Sequence, residues 1–317
     1  MVRLNILLTG ATGFIGSYIL KLLQQEGHKV VGFDKLVDNT SIQQILTPEE
    51  LAQTTIVQGD IQDLPTLLSV CKEHHIDTIV HTASLMGVAS RNTQAAVNVN
   101  IKGTINIFDT ARILGMRRVV WASSQTVFGP QDKHPQEWIP NDGPHFPMTM
   151  YAACKSFLEY VGRYYYESYG LDTIALRYCA VYGLGRLRGS DTYLNNLIVY
   201  PALGKKGIVD YGDDAPNLLY VKDAARATLL ACTVPSTESR AFTITGEIKP
   251  LTEVRDYVLQ LIPDAEIELK PGYYPSGWKF DTRVVEEELG YKPEYDVERG
   301  VKELIQLVQA SRDRLDY

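Results

Sequence analysis

Leu8 to Gly16 reads LTGATGFIG, and the spacing of its glycines decides the fold. The stretch closes an apolar run, Ile6, Leu7 and Leu8, and opens a pattern of helical period, so it reads as a strand-to-helix turn. Gly10 permits the tight turn, Gly13 lets backbone approach an anion with no Cβ in the way, and Gly16 allows close helix packing. The first N–H groups of such a helix lack partners within it, and the helix dipole favours negative charge there, which suits a pyrophosphate. A second strand, Lys29 to Phe33, ends in Asp34. Dinucleotide-binding turns place an acidic residue at about this distance, roughly 20 residues on, to hold the adenosine ribose hydroxyls. A carboxylate repels a 2′-phosphate and favours NAD over NADP, whereas Lys35 beside it pulls the other way.

Outward from this turn, strand and helix patterns alternate. Strands are expected at Arg3–Leu8, Lys29–Phe33, Thr55–Val57, Thr78–His81, Val119–Ser123 and Thr173–Arg177, and helices at Phe14–Gln25, Leu64–His74, Thr93–Leu114 and Thr149–Tyr169. Such alternation implies right-handed crossovers and a parallel sheet covered on both faces, an α/β doubly wound fold of Rossmann type. The rhythm breaks after Arg177; a helical stretch follows at Thr192–Leu203, and Leu218–Tyr220 with the helix Val221–Cys232 is expected to rejoin the sheet lobe. The expected division is therefore 1–177 plus about 216–233 for the dinucleotide domain, and about 178–215 plus 234–317 for a smaller α/β substrate lobe.

The 317 residues carry a net charge of −7, with 45% hydrophobic and 22% charged residues, ordinary for a soluble globular protein. An acidic balance gives no general attraction to nucleic acid or anionic membrane, and Arg117–Arg118 reads as a solvated strand entry. No apolar run approaches a membrane span, and Met1 leads directly into the first strand, so a cytoplasmic location is expected. Cys71, Cys154, Cys179 and Cys232 form no CxxC pair and no metal-like spacing with the histidines, and no metal is expected.

Tyr151 and Lys155 lie four apart on an expected helix, so they share one face. A tyrosine with an ordinary pKa of about 10 is a poor base near neutrality, but an adjacent ammonium favours the phenolate and suits proton transfer coupled to hydride transfer. Ser123 and Ser124 end the strand VVWASS at its carboxyl edge, where open α/β sheets bind ligands, and a hydroxyl there can hydrogen-bond a reacting oxygen.

TGATGFIG, Asp34, GDI at Gly59–Ile61, HTAS at His81–Ser84, NIKGT at Asn100–Thr104, SSQTVFG at Ser123–Gly129, YAACK at Tyr151–Lys155, LRYCAVYG at Leu176–Gly183 and YVKDAARA at Tyr220–Ala227 occur in this order. Together they resemble the extended short-chain dehydrogenase/reductase family, the NAD-dependent epimerase/dehydratase group, over essentially the whole chain. The resemblance implies that Tyr151 is the acid/base, Lys155 its activator and ribose ligand, and Ser124 the hydroxyl that polarises the substrate oxygen. It implies cofactor contacts from Gly10, Thr12, Gly13, Phe14, Ile15, Gly16, Asp34 and Lys35. Asp60 and Ile61 would lie at the adenine, Ala83 and Asn100 along the channel, and Tyr178 and Val181 beside the nicotinamide. Substrate contacts fall to Ser84, Ser124, Gln125, Tyr151 and Arg186. It also implies a homodimer in which Thr93–Leu114 and Thr149–Tyr169 pair with their counterparts as a four-helix bundle.

Three departures narrow the chemistry. Gln125–Thr126 follow Ser124 where dehydratases of the family carry Asp–Glu. Ala180 replaces the usual Asn of nucleotide-sugar enzymes, and Pro216–Asn217 replace the Arg–Asp that grips nucleotide or phosphate. Arg186 and Arg188 are candidates to compensate. The leading expectation is an NAD-dependent oxidoreductase acting on a secondary alcohol or carbonyl of a small, non-nucleotide substrate such as a sugar, sugar acid or hydroxy acid. The alternatives are a nucleotide-sugar epimerase using the same three residues and a non-catalytic NAD sensor. Specificity is expected in the loops Ser84–Arg91, Gln125–Phe146 and Leu184–Asn195.

Overall fold

The computed structural model describes residues 3–37, 40–187, 192–274 and 276–312. The strands in chain order are β1 Asn5–Thr9, β2 Lys29–Asp34, β3 Thr55–Gln58, β4 Thr78–His81, β5 Arg118–Ser124, β6 Thr173–Tyr178, β7 Ala180–Tyr182, β8 Gly207–Val209, β9 Asn217–Tyr220, β10 Ala241–Ile244, β11 Glu247–Ile248 and β12 Ile267–Leu269. Seven of them form one sheet in the order β10-β6-β5-β4-β1-β2-β3, parallel throughout. The order reverses between β1 and β4, which opens a crevice outside the carboxyl ends of the strands, where dinucleotides bind this class of sheet.

Both faces of the sheet are apolar, as full coverage requires. Along β1, Ile6 and Leu8 join the core beneath the helices Phe14–Gln25 and Val221–Thr233, while Leu7 joins Val31, Phe33, Ile107 and Leu158 on the opposite face. The period of two in the strand thus feeds two separate cores.

Three features depart from the sequence expectations. Ala241–Ile244, placed by sequence in the smaller lobe, adds a seventh strand beside β6. Leu218–Tyr220 does not rejoin that sheet: β9 pairs with β7 and antiparallel with β11 in a separate three-stranded sheet, and only the following helix packs back on the main lobe. Arg118 is not solvated. It is 1% exposed, salt-bridged to Asp172 at 2.6 Å, and donates to the carbonyls of Ala231, Val234 and Pro235. These carbonyls end the helix Val221–Thr233, where a cation satisfies both unpaired oxygens and the dipole.

The expected helix Thr93–Leu114 is interrupted. An α-helical turn, Thr93–Ala96, passes into a π-helical segment, Val97–Gly103, before α-helix resumes at Thr104–Ile113. The wide turn brings Asn100, Gly103 and Thr104 into the interior. Gly103 is required there, since a Cβ would stand 2.5 Å from the Ile61 side chain. No helix among the described residues is long and apolar enough to cross a membrane.

Candidate active site

A cavity of about 1320 Å³ runs along the carboxyl ends of β1, β2, β4 and β5 and on to Tyr193, Asp214 and Tyr274. Its first wall is the glycine turn. Gly10 has φ +73°, its N–H donates to the Phe33 carbonyl, and a Cβ on it would stand 2.6 Å from the Ala83 nitrogen. Gly16 packs against the turn itself, for a Cβ would lie 2.0 Å from the Gly10 oxygen. Gly13 is the N-cap of the helix Phe14–Gln25 and supplies no side-chain cap, so the helix start opens on the cavity.

Asp34, at the end of β2, lines the cavity and accepts hydrogen bonds from the Thr12 and Leu36 N–H groups. Thr12 itself is fully buried and fixes this loop, with Oγ1 donating to the Leu36 carbonyl, so it supports Asp34 and does not line the cavity. Lys35 is engaged by Asp60 at 2.9 Å, and both line the same end with Ile61. Asn100 likewise acts from behind. Buried by the π-helical turn, it accepts from the Leu85 N–H at 2.7 Å and the Ser84 hydroxyl at 3.1 Å, and donates to the Leu85 carbonyl. It shapes the Ser84–Leu85 loop and does not reach the cavity.

At the centre stand Ser124, Tyr151 and Lys155, all on the cavity wall. Ser124 is the last residue of β5; its Oγ lies 2.8 Å from the Thr126 hydroxyl. Thr149 caps the helix Met150–Tyr169 by accepting the Ala152 N–H, which sets Tyr151 and Lys155 one turn apart on the face toward the sheet. The Lys155 ammonium lies 5.5 Å from the Tyr151 ring centre and donates to the Ala122 carbonyl at 2.6 Å. Burial pulls its pKa down to about 8, so it remains mostly charged near neutrality. Beneath it, His81 bonds Thr9 and Thr104 through its two ring nitrogens; burial, aided by the Lys155 charge, pushes it down to about 3 and keeps it neutral.

Glu159 continues the same helix face and was not singled out in the sequence, although its spacing of four from Lys155 was available as a signal. Its buried carboxylate accepts from the Ser123 hydroxyl at 2.5 Å and from the Arg177 guanidinium at 2.6 Å, tying the helix to β5 and β6. Tyr178, Cys179 and Val181 line the cavity beyond; the Tyr178 hydroxyl is paired with Thr228 and held far above its ordinary pKa by burial.

Toward the smaller lobe, Gln125 is buried on the cavity wall with Oε1 unpaired. Arg186 is buried near the glycine turn: one terminal nitrogen donates to the Val181 carbonyl and the guanidinium lies 5.5 Å from the Phe14 ring centre. Arg188 falls outside the described residues. Asn217 fastens β9, its amide oxygen accepting from Gly246 and its nitrogen donating to the Trp278 carbonyl. Tyr193, Tyr211, Asp214 and Tyr274 also line the cavity; Tyr193 falls in the expected specificity loop Leu184–Asn195, whereas the other three lie in segments the sequence did not mark. No group of three potential metal ligands occurs among the described residues.

A family model described as the NAD dependent epimerase/dehydratase family matches residues 6–244. The chain belongs to that family. Similar to this member are an uncharacterised protein of Methanocaldococcus jannaschii, 30% identical over 98% of both chains, and UDP-glucuronate 4-epimerase 4 of Arabidopsis thaliana, 27% identical over 95% of this chain and 74% of that one. The solved L-threonine dehydrogenase of Clostridium difficile superposes with a TM-score of 0.83 at 25% identity, covering 99% of this chain and all of that one. Like its family, the chain is an NAD-dependent enzyme, and its residues fit the cofactor: the turn is closed to any Cβ at Gly10 and Gly16, the helix start is open, and Asp34 presents a carboxylate on the same cavity wall.

Proposed function

We propose that this enzyme oxidises a secondary alcohol, or reduces the matching carbonyl, on a small substrate that is not a nucleotide. The observation that carries the reading is the polarity along the cavity. Ser124, Tyr151 and Lys155 are complete at its centre, while the end beyond them presents Pro216 and the carboxylate of Asp214 where a diphosphate would need a guanidinium. Arg186, the expected substitute, is occupied by Val181 and Phe14 on the cofactor side.

In this reading the Gly10–Gly16 turn and the start of the helix Phe14–Gln25 hold the pyrophosphate, Asp34 the adenosine ribose, and Lys155 the nicotinamide ribose. Ser124 donates to the substrate oxygen and keeps it within reach of Tyr151. The Tyr151 phenolate, favoured by the Lys155 ammonium, takes the hydroxyl proton as the carbon–hydrogen bond breaks, and returns it in reduction. Bound NAD supplies the hydride acceptor. Gln125 Oε1, buried without a partner, is a ready acceptor for a second polar hydrogen of the substrate.

The second reading, a nucleotide-sugar epimerase, is favoured by the similarity to a UDP-glucuronate epimerase and uses the same three residues. Incubation with NAD and panels of free alcohols and nucleotide sugars separates the two. The proposal expects NADH absorbance with a free alcohol, reduced about a hundredfold or more in Tyr151→Phe. A new nucleotide-sugar isomer without NADH would replace it by the epimerase.

We further propose a cytoplasmic homodimer. Phe157, Tyr160 and Tyr164 on the helix Met150–Tyr169, and Ile113 at the end of Thr104–Ile113, are exposed, which supports burial of this face in a four-helix bundle.

A further inference from the structure

The far end of the cavity carries a combination that its neighbours do not satisfy. Asp214 is 4% exposed, and among the described residues its carboxylate accepts only the adjacent Ala215 N–H at 2.9 Å and, at the long distance of 3.4 Å, the Tyr274 N–H. No cation among the described residues pairs with it, and burial raises its pKa above the usual carboxylate range. Three tyrosines pack edge to face beside it: Tyr193 and Tyr211 with ring centres 6.0 Å apart, Tyr211 and Tyr274 at 5.5 Å. Tyr211 is held at φ +67°, a left-handed conformation costly for a residue with a Cβ, and the Asp214 N–H donates to its carbonyl. Backbone strain is thus spent on fixing the aromatic group beside the carboxylate.

A buried carboxylate wants a counter-charge or several donors. A hydroxyl offers one hydrogen and gains little from aromatic faces, whereas an ammonium offers three donors, neutralises the carboxylate, and is attracted by the ring quadrupoles. A phosphate is repelled. We infer that Asp214, with Tyr193, Tyr211 and Tyr274, forms a subsite for a substrate ammonium group, which makes the substrate an amino alcohol or the corresponding amino ketone. The inference rests on the small-substrate reading above and specifies the chemistry of that substrate.

The test uses the NADH-loaded protein and two probes of matched shape, isopropanolamine and propylene glycol, titrated by calorimetry. The expected result is binding of the amine at least tenfold tighter than the diol, an advantage lost in Asp214→Asn and weakened in Tyr211→Leu, with NADH affinity unchanged in both. Equal binding of the two probes to the wild-type protein overturns the subsite without needing either variant. Turnover is read separately with NAD: NADH produced from uncharged alcohols alone removes the subsite and keeps the dehydrogenase. A nucleotide-sugar isomer without NADH removes the dehydrogenase, and the amine preference in calorimetry still decides the subsite.

Discussion

The two ends of the cavity are built by different means. The end at the glycine turn is made of backbone from one short stretch, Gly10 to Gly16, closed by Asp34 at the end of the next strand, which accepts the Thr12 N–H. The proposed substrate end is made of side chains, Gln125, Tyr193, Asp214 and Tyr274, drawn from four separate segments. A backbone site excludes side chains and therefore leaves its mark as glycine. A side-chain site tolerates many residue types at each position, and the chain can alter it without disturbing the other end.

Gly16→Ala breaks this contrast most directly. Its Cβ would lie 2.0 Å from the Gly10 oxygen, so the turn must move. NAD affinity should fall about a hundredfold or more, about 2.8 kcal/mol, as measured by calorimetry; ordinary NAD affinity in this variant would show that the turn is not rigid. At the centre, Lys155 has a folded-state pKa of about 8, below its ordinary value of 10.5. Between those two values the unfolded chain binds the extra proton, so stability rises with pH in that window and is lost as pH falls through 8. Denaturant midpoints at pH 8 and 9.5 should differ less in Lys155→Met than in the wild type, the contribution being at most about 1.4 kcal/mol per pH unit. The smallest effect belongs to Asp34→Asn. An amide can accept only one of the hydrogen bonds from Thr12 and Leu36, and it loses the charge that disfavours a 2′-phosphate. NAD binding should weaken about fivefold, about 1 kcal/mol, with a narrower margin over NADP.

Much of the main lobe was legible because strands buried on both faces and the glycine turn leave strong local patterns. The helix Phe14–Gln25 and the strand Thr78–His81 match their sequence expectations in full. Ala241–Ile244 escaped because AFTI, four residues after a break in rhythm, is too short to carry a period. Arg118 was misread because its partners, Asp172 and the carbonyls ending a helix more than a hundred residues away, are visible only in three dimensions. Thr12 and Asn100 fell within recognisable motifs, but their absence from the cavity wall and their bonds to Asp34 and Leu85 are visible only in the structure. Nothing in GDDAP singles out Asp214, since burial is not written in its neighbours.

The π-helical segment Val97–Gly103 gives the interrupted helix a change of phase along its length. Asn100 can latch the Ser84–Leu85 loop while Gly103, three residues on, admits the Ile61 side chain. One rod of structure thereby acts as a gauge block between two walls of the cavity, touching the Ser84–Leu85 loop and Ile61 at once.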